Sequence, residues 1–326
     1  MAMPIPSAHS CPDTDVLVIG TGPAAQALAV LLAQRGWLTT LADPSTTTGE
    51  FPRVLGLDAT TVRVLADCGI GRALSGIGVS GTELEFRSTV LQFHRGPFTM
   101  FHQTGLESAL DARATRLTNL RILRGSPASL LVDQGSHVSS LIGGEALTSA
   151  WTVSCDGRHS FHGRLTGWRS GRVLLPVRPS LLDVATLVWQ LDLVLRDRAR
   201  DVVLDSFPLD GPLLPSATVQ SPDVRGPLDD VLGGGFALLT LCDVRAALGP
   251  ARRAFLDDVS TEVVQVLPAG SAPRSGAVVD VENVYVPFLT SSAAVAALIR
   301  PDHYVFGFAN TPANVAELVD SLRAQL

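Results

Sequence analysis

The feature that most constrains this chain is the stretch DVLVIGTGPAA, which begins at Asp15 and ends at Ala25. Its first half, residues 16–19, is a continuous apolar run, as expected of a parallel strand that is buried on both faces. Residues 24–35 then carry the apolar spacing of a helix. The sequence therefore predicts a strand that runs through a glycine turn directly into a helix.

This turn has the pattern GxGxxA, formed by Gly20, Gly22 and Ala25. Gly20 permits the tight turn, and Gly22 lets the backbone approach a pyrophosphate because it has no Cβ. Ala25 is small enough for the helix to pack against the strand. Pro23 and Ala24 lie at the N-terminus of the predicted helix, which presents free N–H groups and the positive end of its dipole. We therefore predict that these five residues bind the pyrophosphate of a dinucleotide.

A second predicted strand, residues 37–42, ends at Asp43, which follows the glycine turn by about 20 residues. An acid at this distance binds the ribose of an adenine dinucleotide and favours an unphosphorylated ribose, hence FAD or NAD over NADP. The pattern GxGxxA is weak evidence alone, but the strands and the acid around it make it more specific. An ordinary strand, turn and helix without a nucleotide is the alternative interpretation.

Composition narrows the class of protein and of partner. The chain has 326 residues, of which 46% are hydrophobic and 17% charged, enough for two domains with real cores. The net charge of −6, without a basic patch, argues against nucleic acid and against anionic membrane surfaces. No uninterrupted apolar segment is long enough to span a membrane, and the first 13 residues do not resemble a signal peptide. We expect a cytoplasmic protein with a small-molecule partner.

The cysteines and histidines do not indicate a metal or a catalytic group. Four cysteines lie far apart without a CxxC pair, so neither a zinc site nor a dithiol centre is predicted. His159 and His162 stand near an Asp-Gly pair but not at the spacing of metal ligands. Cys155 and Ser160 lack the surroundings of a nucleophile. Catalytic residues stay unknown at this stage, and no metal is expected.

The coarse organisation is that of two domains. The predicted first domain, residues 1–207, includes a helix over residues 54–65 and a meander of short strands from 120 to 154. A proline- and glycine-rich segment, residues 208–228, is interpreted as a linker. Residues 229–326 form the predicted second domain, with the element order βαββα of a small α/β domain.

These elements, in this order, resemble the flavoprotein aromatic hydroxylases of the para-hydroxybenzoate hydroxylase type. They are most similar to the bacterial polyketide hydroxylases that carry a C-terminal thioredoxin-like domain. Further matches are Arg53, Gln103 and the element CDGRHS, which contains Asp156 and Gly157. The segment RPDHYVFGFA at residues 300–309 resembles one in the thioredoxin-like domain.

The resemblance implies a fold class, a cofactor and a set of cofactor contacts. The fold would be α/β, with a Rossmann-like FAD-binding domain of parallel sheet plus β-meander and a thioredoxin-like α/β domain. FAD would be the cofactor and NADPH the reductant. Arg53, Gln103, Asp156 and Gly157 would contact FAD beside the glycine turn.

The chain departs from the family where the chemistry takes place. About a hundred residues that form the substrate domain in the family are missing after the Asp-Gly element, and the loop that holds the flavin ring is missing before the helix over residues 180–195. Thr61 replaces an arginine of the family, and in the DGxxSxxR element Gly163 stands where the family has arginine, with Arg164 one place later.

Two functions follow from this pattern. The first is an FAD-binding, monooxygenase-like protein that acts on an aromatic polyketide or a similar secondary metabolite. The second is a degenerate flavoprotein scaffold without flavin turnover, which acts as a non-redox cyclase or isomerase or as the partner of an active oxygenase. A homodimer is a further prediction, and NAD in place of FAD is the third alternative.

Overall fold

The computed structural model describes residues 11–20, 22–46, 54–81, 98–155, 169–175, 180–206 and 212–326. The chain forms two compact units, Met1–Val184 and Ala185–Leu326. Each unit contains its own sheet, and the candidate site lies in the first of them.

The described elements of the first unit alternate between strands and helices. In chain order they are β1 (Thr14–Ile19), α1 (Pro23–Gln34), β2 (Thr39–Asp43), β3 (Val54–Asp58), α2 (Ala59–Leu65), a π-helical turn (Ala66–Ile70), α3 (Gly71–Ile77), β4 (Gly78–Gly81), β5 (Phe98–His102), α4 (Gln103–Ala114), β6 (Leu120–Arg124), β7 (Ala128–Asp133), β8 (Val138–Ile142), β9 (Glu145–Ser154), β10 (Arg169–Ser170) and β11 (Val173–Leu174).

The main sheet of the first unit has the strand order β10-β11-β9-β1-β2-β6. From β11 to β6 the neighbouring strands are parallel, and β1 is central. Val16, Leu17 and Val18 of β1 are fully buried, as expected for a strand covered on both faces. The antiparallel strands β7, β8 and β9 form the meander. The predicted α/β class, with a parallel sheet and a β-meander, is confirmed.

Helix α1 joins β1 to β2 and is apolar over most of its surface. The residues from Ala25 to Ala33 are all buried, because the helix packs against the sheet and against α4. Alanine at several of these positions lets α1 approach β1 and β2 closely. The helix that the sequence predicts over residues 24–35 is therefore present, within one residue of its predicted bounds.

A small antiparallel sheet with the order β3-β5-β4 accompanies the main sheet. The prediction of one helix over residues 54–65 is wrong in its first part, because Val54–Asp58 forms strand β3 and pairs with β5. The helix begins only after Asp58, whose Oδ1 accepts a hydrogen bond of 2.7 Å from the backbone N–H of Thr61 and so caps α2. The apolar pattern of this short segment does not distinguish a strand from a helix.

Helix α5 (Leu181–Leu195) spans the division between the units. The described elements that follow it are a 3₁₀ helix (Asp201–Ser206), β12 (Thr218–Gln220), β13 (Arg225–Pro227), α6 (Leu228–Leu232), β14 (Phe236–Thr240), α7 (Arg245–Asp258), β15 (Thr261–Leu267), β16 (Ala277–Asp280), α8 (Tyr285–Ser291), β17 (Ala296–Ile299), β18 (Val305–Ala309) and α9 (Asn314–Gln325).

The sheet of the second unit has the order β13-β12-β16-β15-β14-β17-β18. Strands β12 and β13 lie inside the segment 208–228, which the sequence predicts to be a linker. Pro222 lies in the turn of a hairpin formed by β12 and β13, whereas Gly226 and Pro227 belong to β13 itself. Strand β13 is at the edge of the sheet, and β12 pairs with β16. The described part of this segment, from residue 212, therefore contributes to the sheet. The predicted bounds at 207 and 229 stay predictions.

The second unit also contains elements that the sequence pattern did not reveal. Helix α8 and strand β17 are absent from the predicted order βαββα. Strand β17 has the sequence AALI, in which Ile299 is the one β-branched residue and no residue is aromatic, although these residue types favour strands. It is a strand because it pairs with β14 and β18, and all four of its residues are buried.

A buried polar cluster stabilises the turn between β17 and β18. The carboxylate of Asp302, fully buried, accepts hydrogen bonds from Arg300 Nε and Nη2, both at 3.0 Å. Thr186 Oγ1 and Trp189 Nε1, from α5, donate to the same carboxylate at 2.7 and 2.9 Å. The carboxylate therefore joins the turn to α5 and balances the buried guanidinium.

The described residues contain neither a membrane-spanning helix nor a cluster of metal-binding side chains. No described helix combines the length and the apolar character that crossing a lipid bilayer requires. No group of three or more histidine, cysteine, aspartate or glutamate side chains is arranged to hold a metal ion in that part of the chain.

We expect the substitution Asp302→Ala to lower the free energy of unfolding of the second unit by about 3–5 kcal/mol, because it leaves the buried Arg300 charge without its partner. Asp302→Asn keeps the shape and part of the hydrogen bonding, so it should cost less. Urea denaturation followed by tryptophan fluorescence measures both, since Trp189 lies in the cluster.

The matched control is Asp320→Ala in the same unit. Asp320 pairs with Arg252 on the surface, where an ion pair contributes little because water solvates both groups. Equal effects of the two alanine substitutions would show that the Asp302 cluster does not stabilise the fold.

Candidate functional site

The candidate site lies at the edge of the main sheet where the parallel strands of the first unit end. Ile19 at the end of β1 is in register with Ala42 of β2 and with Ser154 at the end of β9. Asp43 at the end of β2 is in register with Arg124 at the end of β6. Ligands of open α/β sheets bind at this edge, in the crevice beyond the carboxyl ends of the strands.

The backbone turn between β1 and α1 is one that only glycine adopts without strain. Gly22 has φ 91° and ψ 177°, a region that an L-residue with a Cβ avoids, and Gly20 has φ 140°. The N–H of Gly20 donates to the carbonyl oxygen of Ala42 at 3.0 Å, which fixes the turn to the end of β2. The backbone at Gly20 agrees with the turn that the sequence predicts there, and the approach of a pyrophosphate at Gly22 stays a prediction.

The start of α1 presents backbone N–H groups without a capping side chain. Pro23 is the first residue of the helix, no side chain in the described part of the chain caps the N-terminus, and the first turn holds no acidic residue. The N–H groups of Ala24 and Ala25 belong to the first turn, where a helix offers no internal acceptor. This end of α1 therefore retains donors and a positive dipole end for an anion.

Helix α4 brings a glutamine and a glutamate to the same turn. The side chain of Gln103 donates from Nε2 to Glu107 Oε1 at 2.7 Å, and Glu107 is buried with 3% exposure. A Cβ built on Gly22 would lie 3.9 Å from that same oxygen. The structure therefore brings Gln103, predicted from the sequence to contact the cofactor, to the neighbourhood of the glycine turn.

The carboxylate of Asp43 is buried and already has two partners. Its Oδ1 accepts from the backbone N–H of Ser45 at 2.8 Å, and its Oδ2 accepts from Arg124 Nη1. Burial raises the pKa of Asp43 above its ordinary value, while the Ser45 N–H and the Arg124 guanidinium act in the opposite direction. Binding of a ribose by Asp43 stays a prediction, and a ribose hydroxyl would have to share this carboxylate with Arg124.

Arg124 connects Asp43 to a polar network that the sequence analysis did not find. Its Nη2 donates to both oxygens of Asp111 on α4, at 2.7 and 2.5 Å. Gln26 on α1 donates from Nε2 to Asp111 Oδ1 at 2.7 Å. This network of Asp43, Arg124, Asp111 and Gln26 joins β2, β6, α4 and α1 around the candidate site. No fixed spacing marks these residues in the sequence.

Three residues predicted to contact the cofactor, Arg53, Asp156 and Gly157, lie outside the described residues. The same holds for His159, Ser160 and His162. The described part of the chain shows only that β9 ends beside β1, where the N–H of Cys155 donates to the carbonyl oxygen of Ile19 at 2.6 Å. The predicted roles of Arg53, Asp156 and Gly157 as cofactor contacts stay predictions.

The connections after β9 and β11 are short. Residues 155–168 lie between β9 and β10, and residues 175–180 lie between β11 and α5. A substrate domain of about a hundred residues does not fit into the first interval, in agreement with the sequence analysis.

We expect Arg124→Leu to lower the free energy of unfolding by about 2 kcal/mol at neutral pH, because the buried Asp43 carboxylate loses its charge-assisted partner. The control is Arg121→Leu, which removes an exposed arginine from the same strand and should change stability little. Urea denaturation of both variants measures the difference. A loss no larger than that of Arg121→Leu would contradict a stabilising role of the network.

The decrease in the free energy of unfolding caused by Arg124→Leu, called the penalty below, should also depend on pH. Loss of the guanidinium raises the folded-state pKa of Asp43 further above its unfolded value, so at neutral pH folding of the variant must bury an unpaired carboxylate or bind a proton. The penalty is therefore largest at neutral pH and decreases as the pH falls toward about 4, where the unfolded chain also keeps this proton. A penalty that is constant between these pH values would show that Asp43 is not its source.

Two families match separate parts of the chain. Residues 13–172 match the family described as FAD binding domain, and residues 211–325 match the family described as HcaD C-terminal domain. A curated relative, a 3-(3-hydroxy-phenyl)propionate/3-hydroxycinnamic acid hydroxylase of Mycobacterium avium, is 25% identical in an alignment of length 198 that covers 53% of this chain and 34% of the relative. The chain thus spans about a third of the length of this relative.

Solved structures of aromatic hydroxylases have the same fold. The OxyS anhydrotetracycline hydroxylase from Streptomyces rimosus is similar with a TM-score of 0.72 and 17% identity, over 95% of this chain and 98% of that chain. An aklavinone-11 hydroxylase in complex with FAD and aklavinone is similar with a TM-score of 0.71 and 15% identity, over 95% and 99%. The resemblance inferred from the sequence and the predicted FAD cofactor are confirmed. Residues 13–172 and residues 211–325 therefore match these two families in this order along the chain, and the fold is similar to that of the two hydroxylase structures.

Proposed function

We propose that the first unit binds FAD at the carboxyl edge of its parallel sheet and that the protein is a monooxygenase of an aromatic polyketide or a similar metabolite. The single observation that carries this proposal is the turn at Gly22, where a glycine-only backbone leads into an uncapped helix. This combination places N–H donors and a positive dipole end where the pyrophosphate of a dinucleotide binds.

The residues of the site fit FAD at its pyrophosphate. The backbone N–H groups of Ala24 and Ala25 would donate to the phosphate oxygens, and Gly22 would leave room for them because it lacks a Cβ. Gln103 would contact the cofactor from α4, next to Glu107. We assign the adenosine ribose to Asp43, in a position that Arg124 fixes.

The flavin, when bound, supplies electron transfer from a reductant to oxygen and the transfer of one oxygen atom to the substrate, and NADPH is the proposed reductant. The chain's own contribution is to bind and orient the cofactor. The proposed roles of Arg53, Asp156 and Gly157 are further cofactor contacts, as the family resemblance implies.

The proposed substrate is a small aromatic compound. Support comes from the neighbours with the same fold, one of which is described with bound aklavinone. The short interval 155–168 implies that the wall over the substrate comes from elsewhere, and we propose a second copy of the chain or a partner oxygenase as its source. We place the protein in the cytoplasm, since no disulfide joins its cysteines, all four of which are described.

We expect Gly22→Ala to weaken FAD binding by at least about tenfold, because a Cβ at φ 91° strains the turn and occupies the phosphate approach. The matched control is Gly36→Ala, whose φ of 96° causes similar strain at the far end of α1, where a Cβ meets no other atom within 4 Å. Titration with FAD, followed by flavin fluorescence, compares the three proteins. Equal affinities of the two variants would contradict a phosphate site at Gly22.

The activity is tested on the purified chain saturated with FAD. We expect NADPH to bleach the flavin absorbance and aklavinone, used as the probe substrate, to gain one oxygen atom in air. Dithionite reduces any bound flavin and serves as the positive control. Bound flavin that dithionite bleaches but NADPH does not would reject the monooxygenase and favour the scaffold without turnover, and failure to bind FAD would reject both.

A further inference from the structure

The second unit contains a cavity that the FAD site does not use. Its volume is about 130 Å³, and it lies at the carboxyl end of β14, beside β15. A single water needs only about 10–15 Å³ of such space, so the cavity has room for several waters or for a group the size of a carboxylate. Its polar lining consists mainly of Cys242, Arg245, Gln265 and Arg274.

Arg245 and Arg274, both exposed to solvent, give the lining of this cavity a positive charge. Arg274 Nη2 donates to Gln265 Oε1 at 2.6 Å, and Gln265 Nε2 donates to the carbonyl oxygen of Leu241 at 3.2 Å. Gln265 therefore holds the guanidinium of Arg274 at the cavity without neutralising it, because its amide carries no charge.

Arg245 reaches the cavity from α7. Its Nη2 lies 2.5 Å from the place that a Cβ on Gly276 would occupy, so the guanidinium packs against the bare backbone of that glycine. Within the described residues no acceptor forms a hydrogen bond or an ion pair with this guanidinium. The lining acid, Asp243, uses Oδ1 to accept from the backbone N–H of Arg245. Two guanidinium groups against one carboxylate favour an anionic ligand.

A thiol lies beside this cationic surface. Cys242 is half-buried and lines the cavity, whereas Cys68 and Cys155 are buried and Cys11 is exposed elsewhere. Three residues after Cys242 the chain has Arg245, where a dithiol motif would have its second cysteine. Cys242 is the one cysteine of the second unit, so a disulfide formed there with another molecule has no second thiol in this unit to displace it.

We propose that this cavity binds the carboxylate of a low-molecular-weight thiol compound and that Cys242 forms a mixed disulfide with it. The Cys242 thiol loses its proton to solvent, and the thiolate attacks one sulfur of the oxidised, symmetrical compound. The S–S bond of that compound breaks as the new S–S bond forms. Half of the compound leaves as a thiolate, which takes up a proton. The disulfide is the oxidant, so the electrons balance.

The test uses the full chain with oxidised glutathione as the probe, and peptide mass spectrometry follows the modification of each cysteine. We expect Cys242 to gain one glutathionyl group faster than the exposed Cys11, and Cys242→Ser to lose that modification alone. Arg245→Ala and Arg274→Ala should each slow the reaction of Cys242 by about tenfold, the effect of one lost charge-assisted contact. Arg245→Lys should restore part of the rate.

Two controls separate recognition from reactivity and from misfolding. With the uncharged 2-hydroxyethyl disulfide, Cys242 of both arginine variants should react at the same rate as Cys242 of the unaltered chain. Equal rates would also show that the unit is folded in the variants. Arg252→Ala removes a cation from the same helix, outside the cavity lining, and should leave the glutathione reaction unchanged.

The proposal is overturned if Cys242 reacts no faster than Cys11, or if the arginine variants react with oxidised glutathione as fast as the unaltered chain. It is also overturned if these variants slow the charged and the uncharged disulfide equally. Binding of FAD is measured separately by absorbance, so a failure at Cys242 is distinct from a failure of the proposed flavin function.

Discussion

A glycine turn at the end of a buried strand is the constraint on which the candidate site depends. Gly22 holds φ 91° and ψ 177°, and this backbone directs α1 back over the sheet with its N-terminus at the crevice. The turn is fixed because Gly20 bonds to β2 and because the residues of α1 from Ala25 to Ala33 are buried. The energy of packing thus maintains a local conformation that favours an anion.

The polar network around this turn explains how α1, α4, β2 and β6 keep one arrangement. Arg124 lies between two carboxylates, Asp43 and Asp111, and Gln26 adds a neutral donor from α1. Because Asp43 is buried, its charge is stable there only with such partners. The network therefore orders the carboxyl edge of the sheet before any ligand binds, which lowers the entropic cost of binding.

The two units have similar architecture, and a different ligand is proposed for each. In both, parallel strands end at an edge where side chains from separate elements meet, and each edge offers hydrogen-bond donors to an anion. In the first unit the donors are the backbone N–H groups at α1, which suit a pyrophosphate. In the second they are the guanidinium groups of Arg245 and Arg274 beside a thiol, which suit a carboxylate.

The sequence by itself determined the local features: the buried strand β1, the glycine turn, helix α1, and the short intervals 155–168 and 175–180 that leave no room for a substrate domain. These depend on neighbouring residues, so apolar period and glycine positions reveal them. Tertiary structure alone decided the pairing of β17 and the strand at Val54–Asp58. It also decided the ion pair of Asp43 with Arg124 and the position of Cys242 and Arg274 around one cavity. Their partners are distant in the chain, and only packing of the sheets brings those groups within hydrogen-bonding distance or around one cavity.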